Sequence, residues 1–162
     1  MKNNNLYLIG LSLVLVFLDI AFFSFLDLYG GTIFLSLVVV ILVSLFWGQQ
    51  KTLIFGLSSM IFLTILSSLP LIVILVGFLL VPMFIAFLRK RVLPELPVIG
   101  AVPIIVAPLI IFELCFIIVT GSYFVGAFLT ASFFVVLNAT IGIWAYGVIQ
   151  NIGRKQRIGI FK

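Results

Sequence analysis

The sequence predicts an all-α, polytopic membrane protein with six transmembrane helices and both termini in the cytoplasm. Three observations carry that expectation. Of 162 residues, 65% are hydrophobic and only 8% charged, giving a mean hydropathy of +1.49. Soluble domains average about 45–50% apolar and about 25% charged, and a chain this short leaves too much surface exposed to hide the difference. The apolar residues also fall into long runs separated by Gly, Pro, Ser and charge, and the bases occupy only alternate gaps between those runs. One integral membrane domain over residues 1–162 follows.

A spanning helix needs about 20 mostly apolar residues. The first run, 6–25, ends at Leu26-Asp27-Leu28-Tyr29-Gly30-Gly31. It is too long for the h-region of a signal peptide and lacks a small-x-small cleavage site, so it reads as an uncleaved span. The second, 32–47, stops at Gly48-Gln49-Gln50-Lys51, and the third, 52–67, at Ser68-Leu69-Pro70. The fourth, 71–88, meets Arg89-Lys90-Arg91. Runs three and four cannot form one helix, because residues 52–88 would reach roughly 55 Å across a hydrocarbon core of about 30 Å. A Pro-containing connector leads to the fifth run, 98–119, and the sixth, 123–149, precedes a basic tail.

Topology is tested independently by the positive-inside rule. With a cytoplasmic N-terminus, Lys2, Lys51, Arg89, Lys90, Arg91, Arg154, Lys155, Arg157 and Lys162 all fall inside, and the outer loops carry no base. The clusters Arg89, Lys90, Arg91 and Arg154, Lys155, Arg157 therefore read as topogenic charges touching lipid headgroups rather than as a nucleic-acid face.

The residue inventory excludes much chemistry. The chain has no His and one Cys, Cys115, which removes the usual zinc sites, Cys–His catalysis and an intrachain disulfide. It contains no phosphate-binding Gly-x-x-x-x-Gly-Lys-Ser/Thr run and no clustered Asp for magnesium. A non-enzyme without metal or cofactor is expected.

Two acids stand inside apolar runs: Asp19 in the first and Glu113 in the fifth, both toward the outer half of the membrane. Intramembrane acids are costly and tend to face the bundle interior. With no cation in the membrane core, they are protonated, hydrogen-bonded to one another or to a side chain such as Asn138, or matched to a ligand or partner helix. Asp19 also stands near enough to the outer end to reach headgroups or water. In the sixth run, Ser122, Gly126 and Thr130 are spaced by four, and Gly142 follows Asn138; small residues of this kind let helices pack closely, within the chain or at a subunit interface. Pro97, Pro103 and Pro108 point to a broken or kinked half-helix over 98–108.

The whole-chain layout resembles the MreD family of bacterial rod-shape membrane proteins. The resemblance rests on Phe25-Leu26-Asp27-Leu28-Tyr29-Gly30-Gly31, on a short second span turning at Gly48 with Gly56 in Phe55-Gly56-Leu57-Ser58 eight residues later, and on Asn138 before Trp144 to Tyr146 and a basic tail. The segment from Met60 to Ser68 departs from the family in carrying no acid. The resemblance implies a multi-pass protein of the inner (plasma) membrane. It would be a non-catalytic scaffold of the elongasome, binding MreC and cell-wall synthases and coupling the MreB cytoskeleton to peptidoglycan synthesis. Six spans in so few residues also resemble the substrate-binding S component of energy-coupling-factor transporters. That resemblance implies a pocket lined by Asp19, Glu113 and Asn138 and partnership with ATPase subunits.

Overall fold

A computed structural model describes residues 2–21, 33–92, 98–122 and 125–159, with side chains described for 5–21, 33–88, 99–122 and 125–152. Six helical rods account for nearly all of them. They are α1 (Lys2–Ala21), α2 (Leu35–Phe46), α3 (Gln49–Leu66), α4 (residues 71–92), α5 (Val98–Thr120) and α6 (Val125–Gly159). The chain is a multi-pass α-helical membrane protein. Four rods contain a segment long and apolar enough to cross a bilayer: Gln49–Leu66, Leu71–Leu88, Ile99–Thr120 and Val125–Ile152. The apolar parts of the other two, Asn5–Ala21 and Leu35–Phe46, are shorter. Large apolar side chains such as Phe17, Ile65, Phe84, Ile118 and Val136 point outward, the arrangement expected where the surrounding solvent is lipid.

The second rod is the shortest and lies within its expected span of 32–47. It has 12 residues, roughly 18 Å of helix against a hydrocarbon core of about 30 Å. All of it is buried except Leu35, Val39 and Phe46, which are half-buried. Among the described residues it is the one rod packed against all five others. Its sequence, Leu-Ser-Leu-Val-Val-Val-Ile-Leu-Val-Ser-Leu-Phe, is apolar all round, as a helix surrounded by protein must be. At its far end Trp47 caps the last turn and Gly48 takes φ 81, a left-handed conformation that glycine adopts without a Cβ penalty. That turn folds α3 back against α2 at once.

The fourth rod is interrupted by a π-helical turn, Val76–Leu80, between α-helical Leu71–Leu75 and Val81–Val92. Pro82 lies just beyond it. Having no N–H, Pro82 cannot bond the carbonyl of Phe78 four residues earlier, and Val81 donates instead to the Val76 carbonyl, five residues back. The Phe78 carbonyl faces Gly56 of α3 so closely that a Cβ at Gly56 would collide with it. Gly77, in the same turn, seats the Phe112 ring of α5 in the same manner.

One alternative is corrected here: the fifth rod is not broken over 98–108 but is one helix of 23 residues running through Pro103 and Pro108. The sixth helix continues past its apolar stretch, Val125–Ile152, to Gly159, 35 residues in all, roughly 52 Å. Gly121 (φ 69) closes α5, and the Ser122 N–H returns to the Ile117 carbonyl at 3.2 Å, satisfying a carbonyl the helix end leaves open. Asp27, Glu95, Pro97 and the Phe25–Gly31 motif lie outside the described residues.

Because Gly56 meets backbone rather than a movable side chain, Gly56→Ala is expected to lower stability by about 1–3 kcal/mol. Gly10→Ala, whose added Cβ meets nothing within 4 Å, is expected to be neutral or slightly stabilising. Thermal unfolding of both variants in detergent checks the pair.

Candidate functional site

The start of α2 lies inside the bundle, and a helix start exposes N–H groups that have no partner of their own. In water they would be solvated; within a membrane protein each must find an internal acceptor. Two other rods supply them. Asp19 of α1 accepts from the Leu35 N–H through Oδ1 at 2.7 Å and from the Ser36 N–H through Oδ2 at 2.9 Å. Asn138 of α6 accepts from the Phe34 N–H through Oδ1 at 2.8 Å, while its Nδ2 donates to the Phe134 carbonyl at 2.9 Å. Asp19 is 4% exposed and Asn138 fully enclosed. A carboxyl at the N-terminal end of a helix also lies where the helix dipole is positive.

An aromatic cluster packs round the same helix start. The Phe34 ring meets Phe78 edge-on at 5.9 Å and Phe112 at 5.8 Å, and Phe112 stacks on Phe134 at 5.9 Å. Offset and edge-to-face pairs of this kind add directional preference to apolar burial. The rings therefore fix the approach of α4, α5 and α6 to the residue that precedes α2.

The three polar residues singled out in the sequence thus divide. Asp19 and Asn138 converge on one helix end, bonding its backbone rather than each other. Glu113 is half-buried on α5, and among the described residues it has no hydrogen bond or ion pair. The small residues of α6 divide likewise. Gly142 is a true close-packing position, its missing Cβ leaving room for Ile105 of α5 and Val38 of α2. Thr130 bonds its own helix at the Ala127 carbonyl, Ser122 bonds Thr120, and Gly126 is half-buried. The side chains of Arg89, Lys90, Arg91, Arg154, Lys155 and Arg157 lie outside the described set.

Other polar pairs were not foreseen. Ser12 of α1 donates to Ser58 of α3 at 2.7 Å in the core, locking the two rods in register. Ser59 buries a hydroxyl that has no partner among the described residues. Only the isolated hydroxyls in apolar runs signalled these positions. At the opposite end of α2, Phe46 meets Tyr146 at 5.1 Å, and the Lys51 ammonium sits 5.4 Å from the centre of the exposed Trp47 ring. Trp144 is also exposed there, an aromatic and basic rim of the kind found at membrane–water interfaces. Among the described residues no three His, Cys, Asp or Glu come together to hold a metal.

Removing the Asp19 acceptors orphans two N–H groups. Asp19→Ala is expected to cost about 2–4 kcal/mol, and Asn138→Ala about 1–3 kcal/mol. Asp19→Asn, which keeps one acceptor, is expected to fall between wild type and Asp19→Ala. Unfolding in mixed micelles gives the order, and equal stability of Asp19→Ala and wild type would contradict the capping role.

Comparison of the chain with protein-family models, curated proteins and solved structures finds no match.

Proposed function

We propose that this chain is a non-catalytic membrane scaffold of the bacterial cell-elongation machinery, a divergent relative of MreD. In this reading six spans seat it in the plasma membrane with both termini in the cytoplasm. It holds an MreC-like protein and cell-wall synthases in one assembly.

The observation that carries the reading is the internal use of the core polar groups. Asp19 and Asn138, the residues best suited to grip a small solute, are both committed to the backbone at the start of α2. Polar groups spent on holding one helix in place favour a rigid packing unit over a ligand pocket. The outward-facing apolar side chains then serve two roles, lipid contact and helix–helix contact with partners. The confinement of all nine bases to the segments predicted to lie inside supports the six-span orientation.

Purification of the tagged full chain from its host in mild detergent tests the proposal. The expected result is recovery of a periplasmic coiled-coil protein together with peptidoglycan synthases, and rounded cells when the chain is depleted. Recovery instead with ATPase subunits, or with a stoichiometric small molecule seen by mass spectrometry, would assign the chain to transport.

A further inference from the structure

Of the two acids among the described residues, Glu113 is the one left without a hydrogen bond or ion pair there. It lies in the span Ile99–Thr120, about seven residues or roughly 10 Å from the end of that helix. That depth is beyond easy reach of headgroups for a side chain of its length. Leu109 and Ile117, one turn before and one turn after it, are buried, whereas Ile110 and Leu114 face outward. Glu113 is therefore at the rim of α5, between the core and the lipid. Asp19 and Asn138 show that this bundle partners its deeply buried acid and amide, yet Glu113 has no partner among the described residues.

We propose that the rim of α5 at Glu113 is the docking surface for a partner membrane protein whose transmembrane helix carries a Lys or Arg at matching depth. This rests on the scaffold reading and names the kind of partner it requires. A carboxyl within hydrocarbon is stabilised by pairing with a cation, and the pair is stabilised by exclusion of competing water. A second copy of this chain does not supply one. Its bases stand at or beyond the ends of the apolar runs, and Lys51, in the first turn of α3, lies at the opposite end of the bundle from the α5–α6 turn. The exposed Ile110, Leu114 and Ile118 provide the apolar flank against which such a helix packs.

The test uses the full chain in phosphatidylcholine vesicles and a fluorescent Leu-rich transmembrane peptide bearing one Lys about seven residues from its end, measured by energy transfer. The Lys peptide is expected to associate about tenfold more tightly than its all-Leu counterpart. Glu113→Gln and Glu113→Leu are each expected to remove that difference while retaining wild-type helicity and elution volume. Equal association of the Lys peptide with wild type and Glu113→Gln, the result if Glu113 meets only lipid, overturns the proposal. So does a Glu113-dependent dimer in sedimentation, which would assign the rim to a second copy. Discrimination by the peptides together with absence of elongation proteins from the purified complex would retain this surface and reject the scaffold assignment. Recovery of those proteins with Glu113→Leu as fully as with wild type would do the reverse.

Discussion

A helix that begins inside a membrane protein must have acceptors waiting for its first N–H groups, because the surrounding hydrocarbon offers none. Here they come from Asp19 and Asn138, on the first and last rods of the chain. The sequence separations, from 16 residues on the Asp19 side to 104 on the Asn138 side, mean that the cap exists only once the bundle has closed. The cap is thus a tertiary interaction on which a secondary element depends. It also lets α2 be short: a helix with both ends in lipid would need the full thickness of the membrane, whereas one capped from within does not.

The same region is coupled to the irregular turn of α4. Phe78 presents its carbonyl to Gly56 and its ring to Phe34, so one residue connects the π-turn caused by Pro82 with the capped start of α2. Phe112 links both to α5 and, through Phe134, to α6. Close approach at Gly56, Gly77 and Gly142 brings α2 through α6 near enough for these rings to interlock. Lipid tails provide no hydrophobic drive for one helix to leave them for another, so shape and hydrogen bonding carry a larger share of specificity here than in a soluble core.

Function is read most directly from which polar groups are spent and which are not. Asp19, Asn138 and the Ser12–Ser58 pair are committed inward, to backbone and to a neighbouring side chain. The acid at the rim of α5 is not. On the proposed reading, a helix bundle with an intramembrane acid at its edge would recognise another membrane helix by charge and depth.

Composition alone determined the membrane class, since no folding of so apolar a chain can satisfy water. The punctuation by Gly30-Gly31, Gly48, Ser67–Pro70, Arg89–Arg91 and Gly121 made the six rods legible, because breaks between spans need turn residues or charge whatever the tertiary packing. Asp19, Asn138 and Glu113 stood out for a similarly local reason: each is expensive in hydrocarbon. Their division of labour was not legible. Whether an acid caps a helix, meets its neighbour or faces a partner depends on which rods lie beside it, and residue spacing within one run holds no such information. Nor did the sequence show that the 12-residue α2 lies at the centre. Its uniform apolarity reads the same for burial in lipid as for burial in protein, and only the packing of five other rods around it decides between them.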